Sequence, residues 1–147
     1  MRLGIIGAGL MGREVASAAA RWCALEEPPT NLVITAACDV DRSRLGWFER
    51  VGSIRLLSTD FRELIQSDEV DALYVALPHN LHEQVCSEII ASGKPVLAEK
   101  PFGISLEATE RLVSACACPR AGLVRLSSQF PVLPGGQAAL GYGGAGA

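Results

Sequence analysis

The chain alternates between short apolar runs and longer stretches in which apolar and polar positions are mixed. The apolar runs predict strands at residues 2–6, 32–38, 54–57, 72–77, 95–98 and 123–126. The stretches between them predict helices at about 10–22, 42–51, 61–67, 81–92 and 106–117. Strands that alternate with helices through short links favour an α/β fold with a doubly wound parallel sheet, a Rossmann fold, in a single domain over residues 1–126.

Polar residues with capping chemistry mark where several of these helices begin. The predicted N-caps are Asp41, Asp60, Asn80 and Ser105. Glu83 stands three residues after Asn80, as the partner in a capping box does. Gly52 and Gly93 follow helical stretches, and glycine is the residue that most often ends a helix.

Three glycines, Gly7, Gly9 and Gly12, follow the first predicted strand at the spacing Gly-x-Gly-x-x-Gly. In this pattern the first glycine permits a tight turn, the second lets a phosphate approach the backbone, and the third lets the next helix pack closely on the strand. Unpaired N–H groups at the start of that helix, around Leu10 and Met11, would attract the anion. The pattern predicts a loop that binds the pyrophosphate of NAD or NADP.

A second part of the same site is predicted at the carboxyl ends of the other strands, where doubly wound sheets bind ligands. Asp39 directly follows the second strand, so its carboxylate could accept hydrogen bonds from an adenosine ribose and repel a 2′-phosphate. Arg42 and Arg44 could flank the adenine or bind such a phosphate. The sequence therefore favours NAD over NADP, and a plain helix-cap or turn residue is the alternative role for Asp39.

The two histidines, His79 and His82, come just after Leu77 and Pro78 at the end of the fourth strand. Either could line the nicotinamide side of the pocket. His82 is expected in the first turn of a helix, where the helix dipole favours neutral imidazole, and a purely structural role is its alternative. No further ligand cluster joins the histidines, so no metal is predicted. The five cysteines lack ligand spacing and are expected to be small buried residues.

Glu99, Lys100 and Pro101 end the fifth strand at the same edge of the sheet. A lysine there could hydrogen-bond a substrate hydroxyl or carbonyl and assist proton transfer, with Glu99 orienting it or balancing its charge. A surface ion pair is the alternative. The position beside the glycine loop favours the catalytic role.

Composition and charge exclude several other classes of function. The net charge is −3 and the Lys and Arg residues are dispersed, which argues against a nucleic-acid surface. No apolar run reaches the ~20 residues of a membrane span, and glycines interrupt the N-terminal apolar stretch, so the cytoplasm is the expected location. Residues 127–147 become rich in Gly and Ala, and we expect a disordered tail or the truncated start of an interdomain segment.

Four elements together resemble the N-terminal half of the Gfo/Idh/MocA oxidoreductases, a family that includes glucose–fructose oxidoreductase and inositol dehydrogenase. They are the glycine loop, the Pro78-x-x-x-His82 step, the run at 93–98 and Glu99-Lys100-Pro101. The Glu-Lys-Pro element is the most specific of them. The resemblance extends from residue 1 to about residue 118.

This resemblance implies an NAD(P)-binding Rossmann domain of an enzyme that transfers hydride between nicotinamide and a sugar- or polyol-like substrate. It implies that Lys100 contacts both nicotinamide and substrate, and that His82 matches the family's histidine at the helix start. Lys100 and His82 are therefore the predicted catalytic residues. The Lys100–Pro101 bond is a candidate for cis geometry. Family members continue into a C-terminal domain that forms the substrate wall and often an oligomer interface. Cofactor binding is therefore expected of this chain, and turnover only with such a domain.

Two other classes of function stay open from the sequence. A lone Rossmann module could sense a nucleotide or bind a partner, including a second copy of the chain, without catalysis. A methyltransferase that uses S-adenosylmethionine also combines a glycine loop with an acidic residue. That class gives Glu99-Lys100-Pro101 no role. In addition, Gly7 follows Ile6 directly, without the acidic residue that usually precedes the glycine loop of such enzymes.

Overall fold

The computed structural model describes residues 1–21, 26 and 31–128, and the six strands found there form one sheet. The strands are β1 (Arg2–Ile6), β2 (Val33–Cys38), β3 (Leu56–Ser58), β4 (Ala72–Val75), β5 (Val96–Glu99) and β6 (Val124–Ser127). Their order across the sheet is β3-β2-β1-β4-β5-β6, and every pair is parallel. The predicted α/β class and doubly wound sheet are confirmed, and each strand lies within two residues of its predicted bounds.

The described helices are α1 (Leu10–Arg21), α2 (Arg42–Leu45), α3 (Phe61–Gln66), α4 (His79–Ser92) and α5 (Leu106–Cys116), with a 3-10 turn at Phe48–Arg50. Three predicted N-caps are confirmed. The side chains of Asp41, Asp60 and Ser105 accept hydrogen bonds from backbone N–H groups of the helices that follow them. Gly93 ends α4 as predicted, in the left-handed conformation with φ 83°.

The helix predicted over 42–51 is wrong in its length. It stops at Leu45, and the chain continues through a separate 3-10 turn that begins at Phe48. Phe48 is fully buried, and its ring meets the ring of Trp47 edge-on at 4.8 Å between centroids. Burying Phe48 against the sheet outweighs the local preference for a continuous helix, so Gly52 ends no α-helix.

The predicted cap at Asn80 is also wrong, because α4 already begins at His79 with Pro78 as its N-cap. Pro78 has φ −55° and ψ 143°, and its carbonyl accepts a hydrogen bond from the Leu81 N–H at 2.9 Å. Proline suits this position because its fixed φ and missing N–H disturb no helical hydrogen bond. Glu83 makes no capping box, and it binds Arg111 of α5 instead.

Helices cover the two faces of the sheet and create two apolar clusters. One cluster joins the sheet to α3, α4 and α5 through residues such as Leu64, Ile89 and Leu112. The other joins it to α1 and the segment around Phe48. β4 lies between both clusters and is buried along its whole length, as its continuous apolar run predicts. No helix in the described ranges is long and apolar enough to cross a membrane.

Some predictions fall outside the described residues. These are the polar loop around the two consecutive prolines at 28 and 29 and the predicted tail from residue 129 onward.

Candidate functional site

The glycine loop after β1 is held by backbone approaches that only glycine permits. Gly7 has φ 104°, a conformation that other residues rarely adopt, and its N–H donates to the Cys38 carbonyl of β2 at 2.8 Å. A Cβ on Gly7 would overlap the backbone carbonyl of Ala76, and a Cβ on Gly12 would overlap the carbonyl oxygen of Gly7. The two glycines therefore bring β1, the end of β4 and α1 together as their spacing predicts.

Gly9 differs from these two glycines because it faces free space. A Cβ there would meet only the Arg44 guanidinium, at 3.9 Å. The next two residues, Leu10 and Met11, begin α1 and expose 68% and 46% of their surface. The helix start thus presents its first N–H groups beside an open surface, which is the arrangement that a pyrophosphate requires.

Asp39 lies at the end of β2 and is only 6% exposed. Its Oδ2 accepts a hydrogen bond from the Ala8 N–H at 2.9 Å, and its Oδ1 accepts one from the Asp41 N–H at 2.9 Å. Asp39 therefore ties the glycine loop to the end of β2. The helix cap of α2 is the neighbouring Asp41, so Asp39 caps no helix. Its bond from the Asp41 N–H is the turn contact of the alternative role, and Asp39 makes it in addition to its bond to the glycine loop.

The two arginines near Asp39 differ in their surroundings. Arg44 places Nη1 3.6 Å from Asp39 Oδ2 and Nε 3.4 Å from Asp41 Oδ2, and it extends toward Gly9. Arg42 is the first residue of α2 and is exposed. The structure thus brings Arg44, rather than Arg42, to the acidic residues of the site.

Two neighbouring cavities open along the carboxyl edge of the sheet and share Ala76 and Leu77. The first, which we call the glycine-side cavity, has a volume of about 420 Å³; its lining includes Gly7, Gly9, Asp39, Arg44, Pro78 and Leu81. The second, the lysine-side cavity, has a volume of about 510 Å³ and is lined by Met11, Ala76, Leu77, His79, Glu99, Lys100, Ser127 and Ser128. Each predicted segment therefore contributes residues to these two adjoining cavities, which we together call the groove.

Lys100 follows β5 directly and is exposed at the rim of the lysine-side cavity. The Lys100–Pro101 peptide bond is cis, as the sequence predicts. Glu99 is partly buried and does not pair with Lys100 among the described contacts. Its Oε1 accepts a hydrogen bond from the Tyr74 hydroxyl at 2.7 Å.

Tyr74 and the serines at the end of β6 are the members of this region that the sequence analysis missed. Tyr74 sits within an unbroken apolar run and carries no motif, so only the pairing of β4 with β5 could have placed it next to Glu99. Ser127 and Ser128 line the lysine-side cavity because β6 is the neighbour of β5. Their signal in the sequence is only their place after the last predicted strand.

The two histidine rings lie 6.2 Å apart, edge to face, but their exposure differs. His79 is exposed and lines the lysine-side cavity, whereas His82 is fully buried and lines neither cavity. His82 Nε2 lies 3.1 Å from the Leu77 carbonyl oxygen, and Nδ1 is buried without a partner among the described residues. Burial, partly offset by that carbonyl, lowers the pKa of His82, so desolvation is the main reason that the ring stays neutral.

The groove offers the hydrogen-bonding groups and the free space that a dinucleotide needs. The open position at Gly9, the start of α1 and the carboxylate of Asp39 provide surfaces for phosphates and ribose in the glycine-side cavity. The lysine-side cavity continues the groove by about 510 Å³ and holds groups that can exchange protons or carry charge. The residues present therefore fit the cofactor that the glycine pattern predicts.

Comparisons with known proteins agree with this fold. Residues 1–123 match the family model of the Gfo/Idh/MocA oxidoreductases, described as an oxidoreductase family with an NAD-binding Rossmann fold. The chain is 32% identical over 121 residues to inositol 2-dehydrogenase 2 of Saccharopolyspora erythraea, covering 78% of this chain and 32% of that protein. It is 34% identical over 106 residues to the rhizopine catabolism protein MocA of Rhizobium meliloti, covering 72% of this chain and 31% of that protein.

Solved structures give the same result. The scyllo-inositol dehydrogenase of Lactobacillus casei with bound NAD(H) and scyllo-inositol is 25% identical with a TM-score of 0.78, covering 95% of this chain and 39% of that chain. A 3-ketoreductase of Actinomadura kijaniata in complex with NADP is 28% identical with a TM-score of 0.74, covering all of this chain and 44% of that one. The chain spans about a third of the length of the curated relatives it matches. This protein belongs to the Gfo/Idh/MocA oxidoreductase family and comprises its NAD(P)-binding Rossmann domain.

Proposed function

We propose that this chain binds NAD(H) as the cofactor half of an enzyme that moves hydride between nicotinamide and a sugar- or polyol-like substrate. The observation that carries this proposal is the pair of adjoining cavities: the glycine loop and Asp39 line one, and His79, Glu99 and Lys100 line the other. The relatives named as inositol dehydrogenases support the substrate class. Residues 1–126 form the proposed dinucleotide-binding domain, and 127–147 the proposed start of an interdomain segment.

The cofactor would lie along the groove with its adenosine end in the glycine-side cavity. The loop from Gly7 through Gly9, Leu10 and Met11 to Gly12 would hold the pyrophosphate, while Leu77 and Pro78 line the path toward the nicotinamide. Asp39 keeps acceptor capacity for the ribose hydroxyls, since each carboxylate oxygen can accept more than the one hydrogen bond it already has.

Asp39 supports a preference for NAD. A 2′-phosphate would lie against its buried carboxylate, which repels a second negative charge. Arg44 is already engaged by Asp39 and Asp41, so less of its charge is available to a phosphate. Arg42 is the exposed cation that remains to flank the adenine.

Lys100 is the proposed catalytic residue. When bound, the nicotinamide accepts or gives the hydride. Lys100, exposed beside the same cavity, would take the proton from a substrate hydroxyl during oxidation and return it during reduction. The charge that develops on the substrate oxygen is stabilised by its ammonium form. Glu99 and Pro101 fix the backbone on either side of it.

His82, predicted from the sequence as a catalytic residue, has a positioning role in this proposal, because it is fully buried and lines neither cavity. Its ring holds the Leu77 carbonyl, and Leu77 lines both cavities. We therefore assign His82 to the support of the loop between β4 and α4, and His79 to the wall of the lysine-side cavity.

We place the protein in the cytoplasm, where nicotinamide cofactors occur together with free thiols such as those of Cys38 and Cys86. A homo-oligomer is the proposed assembly.

A ligand titration of the purified chain tests the cofactor half of this proposal. Thermal unfolding is followed with NAD(H), NADP(H) or S-adenosylmethionine, because a ligand that binds only the folded state raises its stability. We expect stabilisation by NAD(H), weaker stabilisation by NADP(H) and none by S-adenosylmethionine. No stabilisation by either nicotinamide cofactor would overturn the proposal.

A second assay tests the catalytic half. NADH formation is followed with inositols and sugars as hydride donors, using a protein that contains this chain together with a substrate domain. Turnover that depends on NAD supports the proposal. Binding of NAD(H) with no turnover of any polyol or sugar would favour a non-catalytic nucleotide-binding module.

A further inference from the structure

Tyr74 and Glu99 form a fixed pair beneath the lysine-side cavity. Tyr74 of β4 pairs with Leu97 of β5, so Glu99 lies two positions further along β5 on the same face of the sheet. A tyrosine is long enough to reach such a diagonal neighbour. Its hydroxyl donates to Glu99 Oε1 at 2.7 Å, so the contact follows from the strand register.

The tyrosine side of this pair cannot move easily. Tyr74 is completely buried among the residues that pack between the sheet and α1. Burial first, and the nearby carboxylate second, raise the pKa of Tyr74, so its hydroxyl stays protonated and remains a donor. Glu99 is therefore held by a rigid donor from the core.

The other face of Glu99 is open to the cavity. Within the described chain, Oε2 of Glu99 has no hydrogen-bond partner, and Glu99 lines the cavity next to His79 and Lys100. Lys100 is exposed, so water screens its charge and its long stem leaves the ammonium free to move. The charge of Glu99 is partly buried and fixed in place, so it acts on the cavity with less screening.

We infer that the Tyr74–Glu99 pair makes the site favour the oxidised, cationic nicotinamide ring over the reduced, neutral one. This inference rests on the proposed function, because it needs the nicotinamide in the lysine-side cavity. A negative charge held in advance stabilises a cation without the cost of reorganising at the moment of binding. Glu99 supplies that charge, and Tyr74 is the positioning residue that keeps it in place.

The test is the ratio of the dissociation constants for NAD⁺ and NADH, measured by calorimetry on the full chain. Glu99→Gln keeps the shape of the side chain but removes its charge. We expect it to weaken NAD⁺ binding about five- to tenfold relative to NADH, as for one partly screened pair of charges. Tyr74→Phe, which removes only the hydroxyl, should shift the ratio in the same direction by a smaller factor. Glu110→Gln, at an exposed acid on α5, should leave it unchanged.

ADP-ribose, which lacks the nicotinamide ring, separates this inference from the proposed function. It should bind the parent chain and Glu99→Gln equally well. If Glu99→Gln weakens NAD⁺ and NADH equally, or changes neither, Glu99 does not discriminate the redox state and the inference is wrong while the proposed function stands. If the parent chain binds none of the three ligands, the proposed function fails and the inference fails with it. Because Glu99 lies at the cavity, Glu99→Gln decides the question even if Tyr74→Phe does not fold.

Discussion

The two cavities of the groove are built in different ways. In the glycine-side cavity the key groups are backbone atoms and buried side chains, such as the Gly7 carbonyl, the Ala8 N–H and the Asp39 carboxylate. In the lysine-side cavity they are side chains at the protein surface, among which Lys100 and His79 are exposed. Glu99 is the exception there, because Tyr74 holds it from the core.

The two constructions suit two different tasks, recognition of the cofactor and reaction with the substrate. A shape fixed by the backbone can bind the part of a cofactor that never changes, at no cost of ordering side chains. Groups that exchange protons with a substrate need access to it, so they lie where packing constrains them least. Substitutions of the buried groups of the first cavity should therefore change stability and binding together, whereas substitutions of the exposed groups of the second should change chemistry with little effect on stability.

The largest effect is expected for Lys100→Met. Loss of a residue that transfers a proton lowers turnover by about 10²–10⁴-fold, while the exposed position predicts little change in stability or in NADH affinity. NADH absorbance during polyol oxidation, in a protein that contains this chain together with a substrate domain, measures the turnover. Thermal melts and NADH titrations measure stability and affinity. Arg120→Met, at another exposed cation, serves as the control. A Lys100→Met protein with normal turnover would remove Lys100 from the chemistry.

Gly7→Ala, in the glycine-side cavity, should lower both the stability of the fold and the affinity for NAD(H). The new Cβ overlaps the Ala76 carbonyl at a positive φ, so we expect a loss of about 1–3 kcal/mol in the free energy of unfolding together with loss of NAD(H) binding. Denaturant titration and calorimetry measure the two. Gly9→Ala is the informative partner, since its Cβ meets free space. Gly9→Ala should leave the free energy of unfolding unchanged and weaken NAD(H) binding. Unchanged NAD(H) affinity in Gly9→Ala would mean that the phosphates bind elsewhere.

Asp39→Ala should also couple stability to binding. The Ala8 N–H, buried beside Asp39, loses its acceptor, which costs about 1–3 kcal/mol, and the ribose loses its carboxylate partner. We expect weaker NAD binding and a smaller preference for NAD over NADP, measured by titration with both cofactors. Ser105→Ala removes the cap of α5, away from this cavity, at about 1 kcal/mol, and should leave that preference intact. Equal losses of preference in both variants would contradict the role of Asp39.

The smallest effect is a dependence of stability on pH that His82 contributes. Its folded pKa lies below the unfolded value of about 6.5, so the unfolded chain takes up a proton first as the pH falls. The contribution of His82 is complete above about pH 6.5 and declines as the pH falls toward the folded pKa. Urea denaturation at pH 7 and 5.5 should show a smaller decline in His82→Gln than in the parent chain. His79→Gln, which removes one of the charges that lower the pKa of His82, should reduce the decline less than His82→Gln does.

Sequence alone could predict the sheet, the glycine loop and the positions of Asp39 and Lys100. These follow from local patterns, because apolar runs define strands and parallel strands end at a common edge. Sequence alone could not predict which side chains contact each other between neighbouring strands. The Tyr74–Glu99 hydrogen bond depends on the register of β4 against β5. The burial of His82 depends on a helix that begins at His79, and the break before Phe48 depends on packing against the sheet.

The hydrogen bond from the Ala8 N–H to Asp39 has a consequence for anyone who redesigns the cofactor specificity of this domain. The usual route from NAD to NADP replaces the acid after the second strand with a small or basic residue. In this chain the same acid is the acceptor for the turn that carries Gly7 and Gly9. A successful exchange must therefore bring a new acceptor for Ala8 along with a new partner for the 2′-phosphate, so two functions have to be rebuilt in one step.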